Sequence, residues 1–312
     1  MAARGHATRK GAPAPAALPG IESYLEEQRA LVDARLPELL PPKAAATDRV
    51  RDAMAYALLA PGKRIRPILS LAVASLLGGD PAEALPAACA VEMVHAASLV
   101  LDDLPGMDDA SLRRGRPATH VEFGEATAIL AAVALLNHAY GLLAGWAGHE
   151  AAGPRVKATL ARTFSDAIGT AGVIGGQQAD LSAAGRPLTL QELEFIHSHK
   201  TGSLFIASAE VGAIAVSASA GDLEALRHYA KNLGLAFQIT DDVLDAEGTA
   251  LSTGKDVRRD ANRTTFVTLC GAEGARQLGC ELIDAAVAHL DRFGKRGRTL
   301  RDLALFVARR DR

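Results

Sequence analysis

Residues 98–109 read Ser98-Leu99-Val100-Leu101-Asp102-Asp103-Leu104-Pro105-Gly106-Met107-Asp108-Asp109, an apolar run that ends in four carboxylates. Carboxylates at the end of an apolar helix are costly to desolvate unless a cation lies between them. Pro105-Gly106 breaks the helix, so Asp108 can return beside Asp102 although six residues separate them. Asp109, seven residues after Asp102, shares its face only in an unbroken helix. We therefore predict Asp108 as the partner of Asp102.

A second acidic cluster ends another apolar run, in Phe237-Gln238-Ile239-Thr240-Asp241-Asp242-Val243-Leu244-Asp245. Asp241 and Asp245 are four residues apart, which places them on one face of a helix. Carboxylate oxygens in this number suit Mg²⁺, which keeps several waters and commonly bridges to phosphate oxygens. The alternative is that both clusters are simply solvated helix ends. The occurrence of two similar clusters argues against it. The clusters predict a magnesium–diphosphate site between two facing helices.

The rest of the chain has a helical pattern. Apolar residues recur at three- and four-residue steps from Ile21 onward, Pro and Gly end the runs, and no convincing strand pattern emerges. We predict one all-α domain over residues 21–312, a large helical bundle with wide apolar faces. A flexible tail, residues 1–20, precedes it; its basic composition leaves a transit peptide as the alternative.

Composition excludes several classes of protein. A net charge of -2 argues against a nucleic-acid partner. Every apolar run of membrane-spanning length is interrupted by charge or turn residues, so no membrane span is expected. The three cysteines, Cys89, Cys270 and Cys280, have no metal-binding spacing and suit reduced thiols. The expected location is the cytoplasm.

A group of cations lies near the first acidic cluster. Gly62-Lys63-Arg64-Ile65-Arg66-Pro67 forms a predicted loop before a helix that begins near Pro67. His95 lies seven residues before Asp102, two turns back on nearly the same helix face. A pocket that binds a diphosphate without metal can be formed by Lys63, Arg66, His95 and Arg114. A solvated loop and an ordinary core histidine are the alternatives.

Three further segments carry polar groups into the predicted bundle. Gly175-Gly176-Gln177-Gln178-Ala179-Asp180-Leu181 is predicted at the end of a helix, with Asp180 as another carboxylate. The segment His197-Ser198-His199-Lys200-Thr201-Gly202 suits a kinked helix that aims a donor inward. Gly254-Lys255-Asp256 follows the second acidic cluster, where Lys255 can cover the site or remain an exposed loop lysine.

Six motifs occur in an order that closely resembles the trans-isoprenyl diphosphate synthases, the family of farnesyl and geranylgeranyl diphosphate synthases: GKRIRP, H-x6-DDLPGMDD-x3-RRG, GGQQADL, HSHKTG, FQITDDVLD and GKD. The resemblance runs from about residue 21 to the end of the chain. The spacing of the first acidic motif is similar to that of the bacterial and plant type. The resemblance implies an isoprenoid-synthase-like bundle around a central apolar cavity, and a homodimer.

The resemblance also implies a role for individual residues. About three Mg²⁺ ions would be held by Asp102, Asp108, Asp241 and Asp245. Isopentenyl diphosphate would be held by Lys63, Arg66, His95 and Arg114. The allylic diphosphate would be held by Arg113, Lys200, Thr201, Gln238 and Lys255. The catalytic set would be Asp102, Asp108, Lys200 and Asp241. The chain departs from the family at Arg263, where lysine is usual.

Product length is predicted from Ala97 and Ser98, which precede Asp102 by about one helical turn. A turn is about 5.4 Å long, close to one isoprene unit, so side chains a turn apart act as a ruler. Similar farnesyl synthases carry a bulky aromatic at the Ala97 position. Small residues here predict the twenty-carbon product, geranylgeranyl diphosphate, with Met93 and Val94 as the floor one turn further. Farnesyl diphosphate is the alternative product.

Three rival functions remain to be weighed. A terpene cyclase also ionises a prenyl diphosphate on Mg²⁺, but it binds no second diphosphate, so the cationic group speaks against it. A non-catalytic partner subunit of a prenyl synthase needs no metal ligands, and both acidic motifs are complete here. A di-metal carboxylate redox protein would carry Glu-x-x-His pairs, and none is suitably placed.

Overall fold

A computed structural model describes residues 20–146, 153–247 and 264–309. The predicted tail (apart from Gly20), Lys255 and Arg263 lie outside these ranges. Over the described residues the chain is almost entirely helical, as predicted. Its α-helices are α1 (Ile21–Leu39), α2 (Asp48–Leu58), α3 (Ile65–Leu76), α4 (Pro81–Asp102), α5 (Thr119–Phe123), α6 (Glu125–Gly145), α7 (Pro154–Ile168), α8 (Val173–Ser182), α9 (Leu190–His197), α10 (Ser203–Ala215), α11 (Ala220–Glu247), α12 (Phe266–Ala288) and α13 (Arg298–Arg309).

Three short elements complete this list. A π-helical turn, Ser198–Gly202, joins α9 to α10. A 3₁₀ segment, Asp291–Gly297, precedes α13. Two-residue strands β1 (Leu112–Arg113) and β2 (Arg116–Pro117) pair as an antiparallel hairpin. The hairpin corrects the prediction of a chain without strands, because two residues are too few to produce an alternating pattern.

Helix α10 lies between the two main clusters of the core. Leu204 and Val211 pack into the cluster formed with α4 and α6. Phe205 and Ala209 pack into the cluster formed with α3 and α11. The backbones of α3 and α10 approach closely, since a side chain on Gly212 would lie 2.1 Å from the carbonyl oxygen of Ser70. The cavity expected at the centre of the bundle stays a prediction.

Helix α4 begins and ends where its sequence predicts. The side chain of Asp80 accepts a hydrogen bond from the backbone N–H of Ala82 at 2.8 Å, and Pro81 occupies the first helical position. The helix then runs for 22 residues with few exposed positions and ends at Asp102. Pro105-Gly106 follows directly, so the first acidic cluster lies at the C-terminal end of a buried helix.

Two predicted boundaries are wrong. Helix α3 begins at Ile65 rather than Pro67, so Arg66 lies in its first turn instead of a loop. Gly175 and Gly176 lie inside α8 rather than at the end of a helix. The glycines reflect close packing, because a side chain on Gly176 would lie 2.2 Å from the backbone nitrogen of Lys200. From the sequence alone, a Gly-Gly pair suggests a turn. The close packing could not be predicted, because Lys200 is remote from Gly176 in the sequence.

The hairpin is fastened to α2 by Tyr56. The Tyr56 hydroxyl donates a hydrogen bond to the carbonyl of Pro117 at 2.9 Å, and the guanidinium of Arg116 lies 3.8 Å from the centre of its ring. Arg114 and Gly115 at the tip have φ values of 53° and 74°. Two consecutive positive φ values are what a tight two-residue hairpin requires. The hairpin thereby presents Arg113 and Arg114 side by side.

Helices α4 and α6 are long and apolar enough to cross a membrane, judged by length and composition alone. Both runs are interrupted, as expected from the sequence, by Pro86 and Glu92 in α4 and by Gly141 in α6. In α4, 67% of the most apolar window is buried inside the bundle, whereas in α6 the share is 33%. Core helices of soluble bundles pass the same test, so these two helices are weak evidence for a membrane protein.

Candidate active site

The first acidic cluster folds back on itself after α4. The backbone N–H of Asp108 donates to the carbonyl of Asp102 at 2.9 Å, which brings the two residues together across the Pro105-Gly106 turn. Asp109 has a φ of 46°, its N–H donates to the carbonyl of Leu104, and its side chain is exposed. The geometry therefore places Asp108, rather than Asp109, beside Asp102.

Lys200 connects this cluster to the π-helical turn. Its Nζ lies 2.8 Å from Oδ2 of Asp180 on α8 and 3.2 Å from Oδ1 of Asp102 on α4. The three side chains are 15–20% exposed. Burial raises the pKa of Asp102, and the neighbouring charge of Asp108 raises it further, whereas Lys200 lowers it. The ammonium group thus lies between two carboxylates from different helices.

The next residue, Thr201, reaches the second acidic cluster on α11. Its hydroxyl lies 3.2 Å from Oε1 of Gln238, whose amide donates to Oδ1 of Asp242 at 3.1 Å. Oδ2 of Asp242 accepts from the backbone N–H of Phe266 at 3.0 Å. Burial raises the pKa of Asp242 to about 6. Because Asp242 is occupied by these contacts, the candidate ligands in this cluster are its neighbours Asp241 and Asp245.

A cluster of cations lies beside the acidic site. Nη1 of Arg66 is 3.3 Å from Nε2 of His95, and the Arg66 guanidinium lies 4.9 Å from the centre of the Phe205 ring. Burial, partly opposed by Glu92 and Asp241, lowers the pKa of Arg66 to about 10, and the charge of Arg114 lowers it further. Within the described residues, no group accepts a hydrogen bond from the buried Nε of Arg66.

His95 and Arg114 have the same electrostatic signature. Burial lowers the pKa of His95 well below its ordinary value, and the charges of Arg66 and Arg114 lower it further. Burial also lowers the pKa of Arg114, whose Nη1 donates to the carbonyl of Ala60 at 3.2 Å. Buried cations that repel one another are costly, and an anion between them relieves the cost. Lys63 is exposed and lies in the loop between α2 and α3, directly before Arg64.

Arg113 lies on the other side of the hairpin tip and pairs with Asp103. Its Nε is 3.0 Å and 3.1 Å from the two carboxylate oxygens of Asp103, and its Nη2 also donates to that carboxylate. The Asp103 side chain is only 2% exposed. Burial lowers the pKa of Arg113, but the hydrogen bonds and charge of Asp103 and the charges of Asp102 and Asp108 outweigh it, so the pKa is raised.

The comparisons with known proteins agree on one family. The family model described as polyprenyl synthetase matches residues 47–279. The chain belongs to the polyprenyl synthetase family. A farnesyl diphosphate synthase of Geobacillus stearothermophilus is 42% identical over 293 residues, which cover 93% of this chain and 98% of the relative.

Other relatives make different products. Large subunit 1 of the chloroplastic heterodimeric geranylgeranyl pyrophosphate synthase of Arabidopsis thaliana is 41% identical, with 83% of this chain and 71% of the relative covered. The crystal structure of an FPP/GFPP synthase from Zymomonas mobilis superposes with a TM-score of 0.82 at 34% identity, covering 92% of this chain and 98% of that one. The polyprenyl synthetase described here is thus a trans-prenyltransferase, and its relatives do not define its product length.

The acidic residues of this synthetase fit Mg²⁺. Oδ1 of Asp102 is buried and receives no hydrogen bond from the described residues; its contact with Lys200 is an ion pair. The nearby charge of Asp108 adds to the need for a cation. Across the three described ranges no three His, Cys, Asp or Glu side chains converge on one point. The fit rests on the donors, because carboxylate oxygens are hard ligands of the kind that Mg²⁺ prefers.

The sequence did not predict which residues hold the basic side chains of the synthetase site in place. It assigned no role to Asp103, although this residue orients Arg113, and it left Asp180 as a general carboxylate. The available signal was the Asp102-Asp103 pair: adjacent residues point in different directions, so one of the two has to find another partner. For Asp180, no local signal identifies Lys200, twenty residues away, as its partner.

The lowered pKa of His95 predicts how the stability of the synthetase depends on pH. Below the pKa of about 6.5 for an unfolded histidine, the unfolded chain binds a proton that the folded chain does not accept. The free energy of unfolding should therefore fall as the pH drops below 6.5, by up to about 1.4 kcal/mol per pH unit for this one group. Urea unfolding of the wild type and His95→Gln at pH 7.5 and 5.0 tests this. Equal pH dependence in both proteins would contradict it.

Proposed function

We propose that this synthetase condenses isopentenyl diphosphate with an allylic diphosphate, and that its product is geranylgeranyl diphosphate. The supporting observation is the buried Nε of Arg66, which has no acceptor in the described structure and lies among other cations. This pocket is suited to a diphosphate held without metal. The acidic clusters beside it are suited to a diphosphate held with Mg²⁺. Two diphosphate sites of different chemistry fit a condensation better than the single-substrate reaction of a terpene cyclase.

The proposed reaction breaks the C–O bond of the allylic diphosphate, forms a C–C bond to the double bond of isopentenyl diphosphate and releases a proton, which the departing diphosphate accepts. Lys200 and Arg113 hold the leaving diphosphate and stabilise its growing negative charge. Mg²⁺, which Asp102, Asp108, Asp241 and Asp245 would hold, would neutralise further negative charge on the leaving diphosphate. Arg66, His95 and Arg114 hold the second substrate in place. The apolar residues of α4 and α6 exclude water, which would otherwise capture the allylic cation.

The assay that tests this function combines purified protein, labelled isopentenyl diphosphate, an allylic starter and Mg²⁺. We expect a labelled prenyl diphosphate that needs all three additions. A product formed from the allylic diphosphate alone would identify a terpene cyclase. The lack of any product, with activity restored by a second synthase chain, would identify a non-catalytic subunit. Either result would contradict the proposal.

The twenty-carbon product is proposed from small side chains about one turn before the end of α4. Ala97 is completely buried, and Ser98 donates a hydrogen bond to the carbonyl of His95 at 2.8 Å. Helix α6, which packs against α4, also contributes small buried residues, among them Ala131 and Ala132. Met93, one turn further from Asp102, has a large side chain that is completely buried, and it is the proposed floor. Farnesyl diphosphate remains the alternative.

Ala97→Tyr should shift the main product from twenty to fifteen carbons and leave turnover largely preserved. The phenol ring would fill the turn where the last isoprene unit lies, because one helical turn and one isoprene unit are both about 5 Å long. Chromatography of the dephosphorylated products measures the shift.

Ala97→Ser is the matched control, since it keeps a small side chain and should keep the twenty-carbon product. If Ala97→Tyr folds normally and still makes mainly the twenty-carbon chain, Ala97 does not line the product tunnel.

We further propose that the synthetase is a cytoplasmic homodimer that buries α6 against its partner. Exposed residues of α6 recur at three- and four-residue steps, the pattern of a helix-packing seam: Ala126, Leu130, Val133, Asn137, Gly141 and Ala144. Leu130 and Val133 are 56% and 54% exposed, and Glu125 is the sole Asp, Glu, Lys or Arg in the helix. A second copy of the same seam offers an apolar, self-complementary partner.

Leu130→Glu should convert the homodimer into a monomer, because a charge would lie in the apolar seam of both copies. Sedimentation velocity measures the change in mass. Leu31→Glu is the matched control, since Leu31 is also exposed, at 49%, but belongs to α1 and not to the seam on α6. A wild type that sediments as a monomer, or a loss of the dimer in the control, would contradict the use of α6.

A further inference from the structure

Arg64 is a buried charge at the start of α3, and no step of the proposed reaction uses it. Its side chain is 2% exposed, and its backbone has φ 52° and ψ 30°. This left-handed conformation costs a residue with a side chain about 1 kcal/mol or more. Lys63 precedes it in the chain and Arg66 follows two residues later. The conformation of Arg64 therefore decides where both neighbouring cations lie.

All three nitrogens of the Arg64 guanidinium are engaged. Nη1 donates to Oε1 of Glu92 at 2.6 Å, and Nε donates to Oδ1 of Asp33 at 2.8 Å. Nη2 donates to the carbonyl of Ala60 at 2.9 Å. The Glu92 side chain is 3% exposed, whereas Asp33 is 46% exposed. Glu92 lies on α4, one turn before His95 on the same helix. The pair therefore joins the loop before α3 to the helix that carries His95 and Asp102.

The carbonyl of Ala60 extends this network to the hairpin. It accepts a hydrogen bond from Arg64 and a second one from Nη1 of Arg114, at 3.2 Å. Gly62 leaves the space that Arg114 needs, because a side chain there would lie 2.7 Å from Nη1 of Arg114. Arg64 thus holds the loop before α3 in place. Through the shared carbonyl of Ala60 it also helps to position Arg114 of the hairpin.

Stability alone does not account for this arrangement. Replacing a buried ion pair by apolar side chains of similar volume is often neutral or stabilising. The backbone strain at Arg64 adds a further cost, and strain of this kind gathers at functional sites, where the surroundings hold it in place. What the pair provides is a defined position for the backbone between Lys63 and Arg66 and for the side chain of Arg114.

We propose that Arg64 and Glu92 are positioning residues that hold Lys63, Arg66 and Arg114 in the arrangement that binds the second diphosphate. The inference rests on the proposed function, because it takes that diphosphate to be isopentenyl diphosphate. Neither residue touches the substrate. Arg64 acts through its backbone and through Ala60, and Glu92 acts by fixing the Arg64 side chain.

The test measures the binding of isopentenyl diphosphate to the full chain by calorimetry, without Mg²⁺ or allylic substrate. Glu92→Gln keeps the shape of the side chain and removes its charge. Arg64→Lys keeps the charge but cannot reach three acceptors. Both should weaken binding about tenfold or more, the effect of losing one charge-assisted contact. In turnover assays, KM for isopentenyl diphosphate should rise by a similar factor, and KM for the allylic substrate should stay within about twofold.

Two controls separate positioning from general damage. Asp33→Asn removes the exposed partner of the same arginine and should change binding by less than about twofold. The double variant Arg64→Met with Glu92→Leu removes both buried charges, so it should keep a melting temperature near that of the wild type and still bind weakly. Wild-type affinity in the double variant, or an equal rise of both KM values in Glu92→Gln, would overturn the inference.

The binding measurement also separates this inference from the proposed function. A wild type that binds isopentenyl diphosphate but makes no prenyl product would contradict the condensation reaction, and the effect of Glu92→Gln on binding would still support the positioning role. A wild type that condenses both substrates, with unchanged binding in Glu92→Gln and Arg64→Lys, would contradict the positioning role alone.

Discussion

Asp102→Asn is expected to lower turnover about 10²–10³-fold, the size of effect seen when one preorganised group that stabilises developing charge is removed. The substitution removes a buried carboxylate that lies beside Asp108 and 3.2 Å from Lys200. It therefore weakens the proposed magnesium site and leaves the ion pair of Lys200 with Asp180 in place. The amide is nearly the same size as the carboxylate, so the fold should stay intact. Steady-state kinetics at increasing Mg²⁺, with thermal unfolding, measure both effects.

Asp109→Asn is the matched control for this prediction. Asp109 belongs to the same acidic run but is exposed and has a left-handed backbone, which asparagine tolerates. Its turnover should stay within about twofold of the wild type, the range of a surface charge. If Asp102→Asn keeps near-normal turnover at saturating Mg²⁺, Asp102 is not a metal ligand.

Arg66→Ala is expected to raise KM for isopentenyl diphosphate about 10- to 150-fold, since a lost charge-assisted hydrogen bond costs about 1.5–3 kcal/mol. The KM for the allylic substrate should change much less. The melting temperature should rise although binding weakens. The reason is that the variant loses a cation whose buried Nε has no acceptor in the described structure. The lost contact with the Phe205 ring offsets part of that gain.

The two measurements for Arg66→Ala, substrate kinetics and melting temperature, distinguish a binding residue from a structural one. A structural role would lower the melting temperature and raise both KM values together. Arg66→Lys provides an intermediate case, since it keeps the charge but not the fork of donors. An equal rise of both KM values in Arg66→Ala would mean that the two diphosphate sites have been wrongly separated.

The sequence predicts those parts of the site that depend on local pattern. Helical periodicity predicts the all-α bundle, and the Pro105-Gly106 break predicts the return of Asp108 to Asp102. The partners of Arg113 and Lys200 could not be predicted from the sequence, because these contacts join residues that only folding brings together. The same reason hides the close approach of Gly176 to Lys200 and the buried pair of Arg64 and Glu92. Such pairs are defined by the packing of helices, which one sequence does not reveal.

The π-helical turn Ser198–Gly202 makes the number of residues between α9 and α10 critical, in addition to the side chains of Lys200 and Thr201. A π turn contains one residue more than an α turn, so it offsets the helix after it by about 100°. The offset sets how α10, which follows Lys200 and Thr201, is rotated relative to α9. Lys200 contacts Asp180, and Thr201 contacts Gln238. Deleting one residue here would restore regular α-helical bonding and rotate α10 relative to α9. An insertion or deletion in this segment is therefore expected to disturb both contacts at once, whereas a substitution at Lys200 or Thr201 removes only its own contact.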